Sequence, residues 1–214
     1  MKKYLTILFT LFLLLGGLSN LGIAGENDPF DQVALLATIT PAYTVGGVAP
    51  HNIDYYSESH QTTYWGLYSG YYAGAGQSFT GDGSNIATVK FNLTKVGTPP
   101  GTMVAKLYSH SGTWGSTGIG NTLLATSNTV TAITPPDYPT FALVTFTFAS
   151  PYTTVNGTHY VVQIEYTDVG SDGSNKIRVG YDDVTLTHAG NMTTTNGGWT
   201  YYSAQDLCFY VISN

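Results

Sequence analysis

The sequence predicts an all-β chain folded as a two-sheet antiparallel β-sandwich of jelly-roll type. Three observations carry that expectation. Apolar residues recur with a period of two in several short runs, the mark of half-buried strands. Charged residues make up only 9% of the chain, while glycine occurs 25 times and tyrosine 17 times, a balance that favours strands and tight turns over helices. Turn signals interrupt the apolar runs at short intervals, and no helical period extends beyond a turn.

The N-terminus is set apart. Lys2 and Lys3 precede the apolar run Leu5 to Leu15, and Gly22-Ile23-Ala24 offers small residues for cleavage. Residues 1–24 therefore read as a signal peptide, and the mature protein as secreted to the extracellular surface, with no membrane attachment after cleavage. Residues 25–50 form an extended segment or linker. Within it the apolar run Val33 to Thr40 is followed by Pro41, Gly46-Gly47 and Pro50. A run of this kind can also be donated to the sheet of a neighbouring subunit.

Residues 51–214 form the predicted sandwich domain. Tyr64 to Tyr72 contains a strand with a glycine-rich exit at Gly74 and Gly76. After the turn signal Asp82-Gly83, Val89, Phe91 and Leu93 alternate with Lys90, Asn92 and Thr94. Met103, Ala105 and Leu107 then alternate with Val104, Lys106 and Tyr108. A glycine-rich loop carrying Trp114 follows, and then the short apolar segment Leu123-Leu124-Ala125.

Phe141 to Tyr166 reads as a hairpin of two strands. In the first, Ala142, Val144, Phe146 and Phe148 share a face. In the second, Tyr160, Val162, Ile164 and Tyr166 do, opposite Val161, Gln163 and Glu165. Pro151 and Asn156-Gly157 punctuate the link. The motif SDGSN at 171–175 echoes GDGSN at 81–85, and each precedes an alternating strand; the second turns Ile177, Val179 and Tyr181 inward. The segment Gly197 to Tyr202 and the closing strand Leu207 to Ile212 bring the expected total to about eight strands. Cys208, the single cysteine, reads as a small buried hydrophobe within that closing strand.

The series GQSFTGDGSNIATVKFNL, AKLYSHSGTWG, LLATS, FALVTFTF and THYVVQIEY resembles the jelly-roll modules of bacterial and archaeal surface proteins. The family it resembles is called choice-of-anchor R, and the chain is also similar to carbohydrate-binding modules. The likeness spans roughly residues 64–212 and rests on core and turn positions, so it implies a fold and a surface location more than a chemistry. Members of that family usually carry a sorting anchor, which is not seen between the closing strand and Asn214.

The expected function is binding without catalysis. His51, His60, His110, His159 and His188 are scattered, with no HExxH and no serine in a GxSxG turn. Glu58, Glu165, Asp182, Asp183 and Asp206 are the acids that could serve glycoside hydrolysis, and no spacing pairs them. The net charge of −6 excludes nucleic acid as a partner, because phosphates demand clustered Lys and Arg.

Aromatic rings beside polar residues suit sugars, whose C–H faces stack on flat rings. Trp114 leads the candidates, being mid-loop between glycines, followed by Trp199, Tyr201, Tyr202, Trp65 and Tyr68. Loop carboxylates and amides at Asp82, Asn85, Asp172, Asn175, Asp182 and Asp183 could hold Ca2+, although Asp-Gly-Ser-Asn is first of all a turn. Sequons occur at Asn92, Asn156 and Asn191, and the strand phase predicts that Asn92 points outward. Two functional classes follow. One is a glycan-binding adhesion module for a cell-surface polymer. The other is a subunit of an extracellular filament or surface layer, self-associating through residues 33–40.

Overall fold

The computed structural model of the protein describes residues 49–166 and 168–214. The signal peptide and the donor-strand segment Val33 to Thr40 lie outside the described residues. The described chain is built almost entirely of strands: β1 (Asn52–Tyr56), β2 (Thr63–Leu67), β3 (Gly74–Thr80), β4 (Asn85–Val96), β5 (Thr102–Ser111), β6 (Ile119–Thr126), β7 (Val130–Thr131), β8 (Ala142–Thr153), β9 (His159–Glu165), β10 (Lys176–Asp182), β11 (Met192–Thr195), β12 (Trp199–Tyr202), β13 (Asp206–Leu207) and β14 (Phe209–Ser213). A single 3-10 turn, Glu58–His60, links β1 to β2. The additional strands beyond the expected eight are mostly pieces of two to five residues without enough length to show alternation.

Two antiparallel sheets form a sandwich. In the first, β8 pairs with one edge of β4. The other edge of β4 is divided between β14, over Ile86 to Phe91, and β10, over Leu93 to Val96. Beyond β14 lies β1, and beyond β10 lies β2. The second sheet runs β12-β11-β3-β9-β5-β6, with β7 also on β5. Cys208 sits where the closing segment changes partners. Its N–H donates to the Gly180 carbonyl at 3.0 Å, and its own carbonyl accepts from Asn92 N–H at 3.3 Å.

The core lies between the sheets and follows the period of two. Val89, Phe91, Leu93, Ile177, Val179, Phe146, Phe209 and Val211 from the first sheet meet Phe79, Met103, Ala105, Leu107, Val162 and Ile164 from the second. All of these are fully buried. Phe91 and Phe146 meet edge to face, with centroids 5.9 Å apart. Asp82-Gly83 and Asn156-Gly157 turn as the sequence predicts, with Gly83 at φ 94° and Gly157 at φ 76°.

Several expectations are corrected. Phe141 to Tyr166 is not a hairpin: β8 pairs with β4 in the first sheet, whereas β9 lies between β3 and β5 in the second. β8 ladders on β4 and β9 on β3 and β5, so the link at 154–158 carries the chain across the sandwich. Ala142, expected inward, is exposed at the start of β8. Gly74 and Gly76 are not a loop exit but part of β3, opposite Glu165 and Gln163. A Cβ on Gly76 would come within 2.6 Å of the Val162 carbonyl oxygen, so glycine is what lets β3 and β9 close.

The outer face of β9 is covered as well. Gln163 is buried and its amide donates to Thr195 Oγ1 at 2.7 Å. Asn92, expected outward, is 4% exposed and hydrogen-bonds to Gln61; Asn191 is fully buried and donates to the Gly118 carbonyl. Of the three sequon asparagines only Asn156 is exposed.

Two outcomes are expected. Phe146→Ala leaves a cavity at the centre of the sandwich and lowers unfolding free energy by about 3–5 kcal/mol in urea titration. Cys208 is fully buried, and burial pushes its thiol up to about 12. Iodoacetamide should therefore leave it unmodified in the folded protein at neutral pH and alkylate it in denaturant.

Candidate functional site

Along β2, Trp65 and Leu67 face the core, so Tyr64 and Gly66 face out. Along β10, Ile177, Val179 and Tyr181 face the core, so Lys176 and Arg178 face out. The ladder places Gly66 directly opposite Arg178 and Tyr64 opposite Gly180. Gly66 leaves room beside Arg178, whereas the space over Gly180 is taken by the Gln61 side chain. The result is a groove of about 320 Å3 lined by Tyr64, Trp65, Gly66, Tyr68, Tyr71, Lys176, Arg178 and Tyr181. This falls within the ~300–1,000 Å3 typical of small-molecule sites.

Its walls are ordered by ring stacking. Tyr68 and Tyr71 stack at 4.9 Å with planes 19° apart. Tyr71 meets Tyr72 edge-on, and Tyr72 meets Trp65 at 4.6 Å. Trp65 is anchored through its indole N–H, which donates to Gln205 Oε1 at 3.2 Å.

The cations in the groove are held by rings rather than acids. The Arg178 guanidinium lies 4.2 Å from the Tyr64 ring centroid and 4.3 Å from that of Tyr138. Lys176 Nζ lies 5.4 Å from the centroid of Tyr68. Such cation–π contacts each contribute roughly 0.5–2 kcal/mol. Among the described residues neither cation forms an ion pair, whereas Lys95 pairs with Asp137 and Lys106 with Glu165. Nε and Nη1 of Arg178 are covered and have no hydrogen-bond partner.

The predicted binding residues divide between this groove and other places. Trp65 and Tyr68 line it, and Tyr202 packs behind Trp65 at 5.4 Å. Trp114 lies elsewhere, flat on His159 at 3.9 Å with planes 9° apart, so one of its faces is already occupied. Trp199 covers Gly120, where a Cβ would meet its ring at 2.4 Å, and it takes Tyr108 edge-on. Tyr201 is half-exposed on the edge strand β12. Sequence reasoning passed over Arg178, Lys176, Tyr64 and Tyr138. One signal was available, since Arg178 is the sole arginine of the chain and sits at an outward position of an alternating strand.

The predicted calcium ligands are dispersed. Asp82 accepts from His51 Nε2 at 2.7 Å and from Ser84 N–H at 2.8 Å, while Asn85 Oδ1 accepts from Thr153. Asp172 accepts the N–H groups of Ser174 and Asn175 at 2.7 and 2.8 Å, a side-chain-capped turn. Asp183 takes Thr62 Oγ1 at 2.7 Å. Among the described residues no three His, Cys, Asp or Glu side chains gather as metal ligands.

Asp182 is fully buried, and protein donors occupy both its oxygens. Tyr56 O–H donates at 2.7 Å, Val184 N–H at 2.9 Å and Thr185 Oγ1 at 3.1 Å. Burial alone would raise its pKa. The hydrogen bonds from Tyr56 and from the backbone of Val184 and Thr185 outweigh that and hold it down at about 2.

No protein-family model matches the chain, and no curated protein matches it.

A pH dependence follows from Asp182. A folded pKa below the ordinary 3.8 means that its stabilising contribution is complete above about pH 4 and is lost as pH falls toward about 2. Thermal melts should therefore show a falling midpoint across that window. Asp182→Asn should be less stable at neutral pH and should have a flatter acid limb.

Proposed function

We propose that this is a secreted, non-catalytic binding or adhesion module of jelly-roll type that holds glycans in the groove between β2 and β10. The observation that carries the reading is the groove itself, where tyrosine rings stand beside two cations without acidic partners on strands fixed by the core. Flat rings offer stacking surface to sugar C–H faces, and tyrosine hydroxyls and cations offer partners to sugar oxygens. None of the eight lining residues is a carboxylate or a histidine, so the groove supplies recognition rather than acid–base chemistry.

The jelly-roll assignment draws support from the chain path. Successive strands repeatedly change sheet, as in β3 to β4, β4 to β5, β8 to β9, β9 to β10 and β10 to β11. The turn and core motifs resembling choice-of-anchor R modules favour display at a cell surface.

The test is retention on a glycan array. Tyr68→Ala and Tyr71→Ala each remove one stacking ring, about 0.5–1.5 kcal/mol, and should weaken the best-bound glycan several-fold while the melting temperature stays within a few degrees. A wild type that no glycan retains, or variants that bind like wild type, would sink the proposal.

A further inference from the structure

We propose that the groove selects acidic saccharides, with Arg178, assisted by Lys176, as the anchor for a carboxylate or sulfate on the sugar. This deepens the glycan reading above and rests on it. The inference comes from the guanidinium donors left unclaimed by the protein. Arginine presents five N–H donors, and burying donors without acceptors is costly unless a partner arrives. Here Nε and Nη1 are covered and unpartnered, and among the described residues no carboxylate pairs with the guanidinium.

Two tyrosine rings, their own planes 72° apart, approach the guanidinium at 4.2 and 4.3 Å, so it is confined before any ligand binds. A planar, confined guanidinium suits bidentate capture of a carboxylate or sulfate. Lys176 adds a second unpaired positive charge on the same outward face of β10.

The chemistry of the rest of the groove narrows the ligand. A phosphate or simple anion would need charge but no stacking wall, whereas Tyr64, Tyr68 and Tyr71 supply ring surface beside the cations. Gly66, opposite Arg178, leaves the floor open for a sugar ring. The wider molecule supplies selectivity. With a net charge of −6, the protein as a whole repels polyanions, so an acidic polymer is held only where positive charge is local.

The experiment compares polymers that differ in charge alone. The mature protein is applied to polygalacturonate, to its highly methyl-esterified form, to dextran sulfate and to dextran, at roughly 0.15 M salt. The expected result is retention on polygalacturonate or dextran sulfate and none on the two neutral polymers. Whichever polyanion is held identifies carboxylate or sulfate as the anchor. Arg178→Gln should weaken retention about tenfold or more.

Gly66→Leu should abolish retention by filling the floor. A Cβ there sits at an ordinary 3.6 Å from Lys176 and Tyr68, so the fold should hold. Should Arg178→Gln melt early, Lys176→Gln carries the test, with a several-fold loss expected. Equal retention on charged and neutral polymers that Tyr68→Ala still releases would overturn the acidic-ligand inference and leave glycan binding in place. Retention of polyanions that survives Gly66→Leu would overturn the groove as their site. Absence of retention on all four polymers and on the glycan array would overturn both readings.

Discussion

The register of β10 is the constraint on which the rest of the molecule depends. Ile177, Val179 and Tyr181 enter the core, and that alone sends Lys176 and Arg178 to the other face. β10 is bonded to β4 and β13 on one edge and to β2 on the other, so its phase is set by three ladders at once. A slip of one residue would bury two cations and expose three core side chains. The same alternation thus closes the sandwich and sets the two cations of the groove on a strand held by the core.

A chain with one buried cysteine and few charges must tie its two sheets together by other means. The dry core does most of this, and a buried polar cluster does the rest. Gln77 reaches from β3 across to the first sheet, donating to Asp206 at 3.0 Å and accepting the Leu207 N–H at 2.9 Å. His188 bridges onward: its Nδ1 accepts Gly190 N–H at 3.0 Å, and its Nε2 lies 3.1 Å from Asp54 on β1. Each polar atom buried here has a partner, so burial of the cluster is tolerated and the relative placement of the sheets is specified. Burial pushes the Asp206 carboxyl upward against the pull of His188, which marks how little water reaches this site.

The groove follows a different rule. Its cations are stabilised by tyrosine faces instead of carboxylates, even though acids outnumber bases in the chain. An ion pair would have neutralised Arg178 and filled its donor positions. Cation–π contact keeps the charge and confines the guanidinium without an acidic partner. Trp114 and Trp199 illustrate the contrast. Each has spent a ring face on packing, against His159 or over Gly120, although each stands among glycines in the sequence.

By itself the sequence determined the strand character of the chain and the inward faces of β4, β5, β9 and β10, because side-chain alternation is a local property of extended backbone. It also marked Asp82-Gly83 and Asn156-Gly157 as turns, because the φ preference of glycine is local too. Which strands pair was decided only in three dimensions. β8 and β9 adjoin in sequence yet belong to different sheets, and no local signal ranks a neighbouring partner against a distant one. The second faces of β4 and β9 were equally hidden, since Asn92 and Gln163 look solvent-facing until Gln61 and Thr195 arrive to bond them. Arg178 was visible in the sequence as a lone arginine, but its setting rests on Tyr64 and Tyr138, residues far apart in the chain that only the folded sandwich brings together around it.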